Sequence, residues 1–470
     1  MSTIVILVVD GLGIGAMPDA GALRPGDAEA DTLGHLLDHH RAATGRPLEL
    51  PSFGALGLGA VRPHPDLAPR PALPVAAGRA ALGYPGADTY AGHQTMMGAD
   101  FSRVTVARLA EHLQEVTAAL RAAGHRTEPL DGKPLVVVDG GVLVHDNLEA
   151  DPGINWNASA RLAEASFAQV LAVARVVRTV APVARVIAVG GHADGPLAGF
   201  VRHGEAGTVG LDTPASGFYR NGGLQVQHLG APLDHTRQLP EAAARAGVPV
   251  TLVGKAADIL ACGAAVRLPA VDTGKVLKHT VDAVRAAGRG EGAGQERAAG
   301  RGVGAKRDAR AGPEGAAAEE AAALVVSNVQ ETDLAGHQQD PDRYAAVLRR
   351  VDEGIAALLP LLTAPGDRLI VTGDHGNDPT VGHAFHTREY VPVLIHRPGA
   401  EAAERLPDAA SLADVGATAA VALGLNPAEL ANGTPLHAER PRSGYADGPG
   451  RGVPGGAVRA EGRCGTGLSP

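Results

Sequence analysis

Cysteine is nearly absent from this chain of 470 residues, which has only Cys262 and Cys464. Two cysteines cannot build a disulfide framework, so a reducing, cytoplasmic location is the expectation. There is no basic excess either: 42 Lys and Arg face 51 Asp and Glu, for a net charge of −9. That balance leaves no electrostatic footprint for nucleic acid. No apolar run approaches the roughly 18 residues that span a membrane. The opening "MSTIVILVVDGLGIG" has no basic residues ahead of its apolar run and passes straight into Asp and Gly. It reads as a buried first strand rather than a signal peptide. Aromatics make up 3% of the chain, and Ala, Gly, Arg and Pro are plentiful; this matches a GC-rich coding bias and carries no function. No internal repeat is present.

What remains is 45% hydrophobic residues, enough for a large core in two domains or one elaborated domain. Short aliphatic runs recur at Val5–Val9, Leu135–Val138, Val186–Val189, Pro249–Val253, Ala323–Val326 and Leu369–Val371. Helical patterns lie between them, at Arg103–Ala122, Ser159–Thr179, Val276–Ala287 and Tyr344–Leu362. Strands alternating with helices predict an α/β fold with a mainly parallel sheet. Two segments differ. Gly288–Glu320 is rich in Gly, Ala, Arg and Glu, and the tail from Pro441 is similar. Neither carries enough apolar surface to offset the entropy of ordering, so both read as disordered.

Three strand ends carry carboxylates: Asp10, Asp333 with His337, and Asp374 with His375. In parallel sheets ligands gather at the carboxyl ends of the strands, and His386, eleven residues beyond His375, can return to the same place on a loop. Three Asp and three His without Cys suit two hard or borderline divalent cations. Each residue alone has a plainer explanation, as a turn former or surface imidazole; the coincidence at three strand ends favours ligands. His383 is the weakest candidate. Thr89 follows a Gly/Pro turn and precedes a helix start, where backbone N–H groups favour phosphate oxygens. Taken locally, Asp88 or Thr89 reads more readily as a helix cap; only the nearby metal site favours a phosphoryl acceptor. The run "GLGIGA" at Gly11–Ala16 fits a dinucleotide-binding pattern with Asp31 beyond it. Pro18 and Pro25 break the helix that pattern needs, and Asp10 sets a negative charge where a pyrophosphate would approach.

The chain resembles the phosphopentomutase family of the alkaline phosphatase superfamily, which also holds cofactor-independent phosphoglycerate mutase. The resemblance lies in "VVDGLGIGAMPDA", "ADTLGHL", "LGLGAV", "ADTYAGHQTMMG", "LVGKAADIL", "GDHGNDP…HTREYVPVL" and "ADVGATAA". It implies an alkaline-phosphatase-like core in three parts, residues 1–100, 234–287 and 321–440. A smaller α/β cap, residues 101–233, is inserted, and the low-complexity stretches are 288–320 and 441–470. It also implies two divalent metal ions, typically Mn²⁺: Asp10, Asp374, His375 and Thr89 around one, Asp333, His337 and His386 around the other. Thr89 would carry phosphate, and Lys255 matches a lysine near the substrate. The implied reaction interconverts the 1- and 5-phosphates of ribose or deoxyribose through a sugar bisphosphate, which also acts as activator. A phosphohydrolase with the same residues, a mutase of another sugar phosphate, and a degenerate binding protein of this fold are the competing readings.

The departures fall mainly outside the ligand set. Asp333-Leu-Ala-Gly-His337 is shorter than the usual Asp-x-x-x-x-His. Ala87 replaces a usual Lys, and "VVVDGGVLVHDN" stands where "TSADSVLQ" is usual. Val189 replaces an Arg expected to face the substrate, so Arg202 or Arg220 is expected to stand in for it, with a weaker preference for ribose 5-phosphate.

Overall fold

The computed structural model describes residues 2–101, 104–218, 220–289 and 322–436. Of the low-complexity stretch 288–320, only Gly288 and Arg289 fall within them, and Gly288 closes the helix Thr273–Gly288. The rest of that stretch and the tail from Pro441 lie outside the described residues.

The strands in chain order are β1 (Ser2–Val9), β2 (Val75–Ala80), β3 (Thr127–Leu130), β4 (Lys133–Val138), β5 (Val142–Asp146), β6 (Asn155–Arg161), β7 (Arg185–Gly191) and β8 (Val201–His203). They continue with β9 (Val209–Leu211), β10 (Gln225–Gly230), β11 (Val250–Gly254), β12 (Val266–Leu268), β13 (Ala322–Val329), β14 (Arg368–Thr372), β15 (Val391–His396) and β16 (Glu404–Arg405). Eight of them form one sheet in the order β12-β11-β13-β1-β14-β15-β2-β16. Only β15 runs against the others. Every residue of β1 is buried, which is why its sequence is a continuous aliphatic run without alternation. Ile4, Ile6 and Val8 enter the core on one face, and Val5, Leu7 and Val9 enter the core on the other. The molecule is therefore α/β with a mainly parallel sheet flanked by helices, as its strand–helix alternation indicates.

Six strands form a second sheet, β10-β7-β6-β5-β4-β3, antiparallel except between β6 and β7. It has its own core with the helices Leu109–Ala122 and Phe167–Arg178. Two expected helices are corrected here. Asn155–Arg161 is strand, not the start of a helix at Ser159. Its Trp156, Ala158 and Ala160 enter the apolar core, leaving Asn155, Asn157 and Ser159 for the opposite face. The helix begins only at Phe167, where Ser166 and Gln169 form a reciprocal cap. Likewise the helix expected from Arg103 begins at Leu109. The segment before it is bound to the second sheet instead, with Ala107 O accepting from Trp156 Nε1 at 2.8 Å. The helix expected at Tyr344–Leu362 runs from Pro341 to Leu358 and tightens into a 3₁₀ turn at Pro360. No helix among the described residues is long and apolar enough to cross a membrane.

Candidate functional site

Four neighbouring strands of the large sheet, β11, β13, β1 and β14, deliver one cluster at their carboxyl ends. Asp10 follows β1 directly. Asp374 and His375 follow β14. Asp333 and His337 lie one turn apart on the helix Glu331–His337 after β13. Lys255 follows β11. His386 returns on the loop between β14 and β15. Asp10, Asp374 and His375 are fully buried, Asp333 and His386 nearly so.

Ligand atoms of Asp10, Asp333 and His375 lie within 4.8 Å of one another, as do those of Asp333, His337 and His386, so Asp333 is common to both groups. Asp374 adjoins the first group, its Oδ2 3.3 Å from His375 Nε2. All three imidazoles are oriented alike. His337 Nδ1 meets Ala384 O at 2.6 Å, His386 Nδ1 meets Ala87 O at 3.1 Å, and His375 Nδ1 meets Gly376 O at 3.0 Å. Each ring thus commits one nitrogen to a carbonyl and turns Nε2 inward, the orientation that backbone partners give to metal-binding histidines. His337 and His386 face each other Nε2 to Nε2 at 3.1 Å.

Two inward-facing atoms, Asp10 Oδ1 and His375 Nε2, are buried without a hydrogen-bond partner. Such groups are costly unless something satisfies them. Two buried carboxylates share one lysine: Lys255 Nζ lies 2.8 Å from Asp10 Oδ2 and 3.8 Å from Asp333 Oδ2. Burial, reinforced by the charge of Asp374 and opposed by Lys255, pushes the Asp10 carboxyl up to about 7. Burial also disfavours the charged forms of Asp333 and Asp374. There it is outweighed, by His337, His386 and Lys255 at Asp333 and by His375 and His93 at Asp374, and both are held below the usual carboxylate range. Unpaired acceptors, inward imidazoles and surplus negative charge together fit divalent cations held by Asp and His.

Thr89 opens the helix Thr89–Met96 beside this cluster. The cap is Asp88, whose Oδ1 accepts from Ala91 N at 2.9 Å. The Thr89 hydroxyl is left to donate to Asp374 Oδ2 at 2.8 Å. Gly92 allows the close approach: a Cβ there would sit 2.6 Å from Asp374 O. One turn on, His93 Nδ1 lies 2.8 Å from Thr89 O and 3.2 Å from Asp374 Oδ2. Asn328 then bridges His93 Nε2 at 3.0 Å and Asp10 Oδ2 at 3.1 Å. Neither His93 nor Asn328 is singled out by the sequence reading. The available signal was the i, i+4 spacing of Thr89 and His93 on one helix face.

His383 lies outside the cluster, with Nε2 2.7 Å from Asp27 Oδ1. The expected cap arginines are also elsewhere. Arg202 donates to the carbonyls of Gly199 and Val201. Arg220 is exposed and pairs with Asp194 at 2.8 Å. Val189 is buried in the second core. The cation that the small sheet brings to Thr89 is instead Arg185 of β7, 8% exposed and paired through Nη2 with Asp88 Oδ2. A guanidinium is therefore present beside the acceptor turn, with its two Nη atoms on Asp88 and His228. Asn155 Oδ1, Asn157 Oδ1 and Arg185 Nε, from the facing strands β6 and β7, are buried without partners. The "GLGIGA" run forms a loop rather than a helix start. Glu389 holds it by accepting from Gly15 N at 3.0 Å, while Asp31 caps the helix Thr32–Thr44.

The profile of the Metalloenzyme superfamily matches residues 313–427. The phosphopentomutase of Anaeromyxobacter dehalogenans is 30% identical over 449 residues, covering 90% of this chain and 95% of the relative. That of Methylobacterium radiotolerans is 31% identical over 460 residues, covering 90% and 98%. This chain belongs to the phosphopentomutase family. It is a metal-dependent phosphomutase, an isomerase that works by intramolecular phosphoryl transfer, within the alkaline phosphatase superfamily. A solved phosphoglycerate mutase of Leishmania mexicana aligns over 90% of this chain and 96% of its own at 15% identity and a TM-score of 0.40. That likeness is too distant to carry an argument.

Proposed function

We propose that this phosphomutase interconverts the 1- and 5-phosphates of ribose or deoxyribose, with Thr89 carrying the phosphoryl group between two half-reactions. The observation that carries the reading is the Thr89 hydroxyl donating to Asp374 at 2.8 Å at the first turn of a helix. Asp10, Asp374, His375 and Thr89 would hold one divalent cation and Asp333, His337 and His386 the other. Two such ions, Mn²⁺ in this reading, supply Lewis-acid stabilisation of the phosphoryl oxygens when bound. In the first half-reaction the phosphorus–Oγ bond of phosphorylated Thr89 breaks and a bond forms to the free sugar hydroxyl. That hydroxyl's proton passes to the Thr89 oxygen, and the re-formed Thr89 hydroxyl donates its hydrogen bond to Asp374 Oδ2. In the second half the other phosphate of the bisphosphate returns to Thr89, and the proton moves the opposite way. No water or phosphate is consumed, and added sugar bisphosphate activates by loading unphosphorylated Thr89.

The remaining residues divide the work. Helix N–H groups behind Thr89 favour the negative phosphoryl oxygens. Lys255 offsets the charge of Asp10. Arg185, Asn155 and Asn157 offer unpaired polar atoms to the far phosphate and the sugar. Residues 101–233 serve as a cap that keeps water from the phosphothreonine.

The test is to incubate the protein with ribose 1,5-bisphosphate and Mn²⁺, digest it and weigh the peptide holding Thr89. One added phosphate, absent in Thr89→Ala, together with formation of ribose 1-phosphate from ribose 5-phosphate, is expected. Free phosphate as the main product, with no isomer formed, would overturn the mutase reading in favour of hydrolysis.

A further inference from the structure

We infer that Arg24, outside the catalytic cluster, is a positioning residue for both Thr89 and His386. The inference rests on the reading of Thr89 as phosphoryl carrier.

Arg24 lies between the short helix Ala20–Leu23 and the 3₁₀ turn Pro25–Glu29, in extended backbone and 7% exposed. Each edge of its guanidinium is taken by a carboxylate from a different segment. Nη1 meets Asp27 Oδ2 at 3.2 Å, Nη2 meets Asp151 Oδ1 at 3.3 Å, and Nε meets Glu205 Oε2 at 3.1 Å. Its flat face lies 4.4 Å from the centre of the Phe385 ring.

These contacts close a ring around the site. The second oxygen of Asp151 accepts from Ala87 N at 2.7 Å, two residues before Thr89. Ala87 O is the partner of His386 Nδ1 at 3.1 Å. His386 follows Phe385, which returns to Arg24. A second strut runs from Asp27 Oδ1 to His383 Nε2 at 2.7 Å, and His383 Nδ1 accepts from Phe385 N at 3.3 Å. One guanidinium therefore fixes the turn that aims the Thr89 hydroxyl and the loop that aims the His386 ring. It does so through Asp151 and Glu205 of the segment that carries the small sheet. Burial favours the neutral form of Asp151 and raises its carboxyl, while Arg24 and the Ala87 N–H oppose that. Without Arg24 the carboxylate that holds Ala87 loses its cation. Lysine, a point charge on a flexible stem, does not reproduce a planar fork contacting three carboxylates.

The experiment uses Arg24→Lys and Arg24→Met in the full chain with Mn²⁺. Three quantities are read: the rate of Thr89 phosphorylation by ribose 1,5-bisphosphate, kcat and KM for ribose 5-phosphate, and free phosphate released per isomer formed. Folded Arg24→Lys is expected to lose about 30-fold in kcat and in the phosphorylation rate, the scale of a misplaced reacting group. Its KM should stay within about threefold, and phosphate leakage should rise by about tenfold. A defect in folding alone would lower active protein without changing leakage. Wild-type kcat and leakage in folded Arg24→Lys would overturn the inference. Should neither variant fold, Glu205→Gln removes only the half-exposed arm and should raise leakage by about threefold; wild-type leakage there would overturn it equally. Wild-type protein that takes no phosphate on Thr89 would overturn the proposed function and this inference with it. Phosphorylated wild type with unchanged variants would overturn this inference alone.

Discussion

Burial shifts titratable groups beside both sheets, in a sense set by the group. Beside the eight-stranded sheet a buried acid shows the effect. Glu389, enclosed between the first loop and β15, is pushed up to about 7 chiefly by burial, against the hydrogen bonds it accepts from Thr32 and Thr387. In the six-stranded sheet a buried base shifts the other way, next to Asp146, a buried acid whose carboxyl burial raises. His145 of β5 is pushed down to about 4 by burial, with Ser159 Oγ 2.9 Å from its Nε2. Loss of water disfavours the charged form in each case. The consequence differs because one group is charged by losing a proton and the other by gaining one. The carboxyl end of the large sheet concentrates negative charge where cations would offset it; beside Asp88 the small sheet presents Asn155 and Arg185. In the proposed function, chemistry and recognition are divided between these two sheets.

The sharpest way to break this division is Asp374→Asn. Removing one proposed ligand charge, which also accepts the Thr89 hydrogen bond, should lower turnover by about a thousandfold or more. The small sheet should stay intact, as read by its hydrogen exchange. Exhaustive chelation should do the same, reversed by Mn²⁺. Substantial turnover in either case would show that the acidic cluster is not the chemical half.

The pH dependence comes next in size. His145 has a folded pKa of about 4 against 6.5 unfolded. Its contribution is fully present above 6.5 and is lost as pH falls toward 4, amounting to about 2 kcal/mol by pH 5. Glu389 runs the other way: the stabilisation of its protonated form is present below 4.5 and is lost as pH rises through about 7. Amides of β5 and β6 should therefore lose protection between pH 7 and pH 5, after correction for intrinsic exchange, while those of β1 and β14 do not. His145→Asn should flatten the first trend. Equal acid sensitivity in both sheets would remove the contrast.

Arg185→Lys keeps the charge but loses the fork. KM for ribose 5-phosphate should rise by about tenfold with kcat within about threefold. A fall in kcat at constant KM would move Arg185 from recognition to chemistry. The smallest effect is expected from replacing residues 290–320 with a short Gly/Ser linker. Their composition offers no core and closure entropy varies slowly with loop length, so melting temperature and turnover should match the intact chain.

The strands were legible where burial on both faces left no choice of residue, as in Val5–Val9 and Leu369–Val371. The candidate ligands were legible because Asp10, Asp333 and Asp374 each follow such a run. β6 was misread because "NWNASAR" hides a period of two: its core face is Trp, Ala, Ala, and alanine gives little contrast against Asn and Ser. His93, Asn328, Arg185 and Arg24 were missed for a different reason. Their importance lies in partners far along the chain, such as Asp151, 127 residues from Arg24, and Asn328, 235 residues from His93. Local spacing holds no record of such pairs.

The position of β1 also sets a timetable for biosynthesis. It is the earliest strand in the sequence, yet it lies between β13 and β14, whose pairing residues begin at Ala322 and Arg368. At about 5–20 residues per second, ribosomes deliver the first neighbour roughly 15–60 s after β1 emerges. During that interval an aliphatic strand has both edges open, the condition under which strands recruit foreign partners. Translation speed across the intervening segments, and the supply of chaperones that shield nascent chains, should therefore govern the yield of active protein more than the stability of the finished fold does.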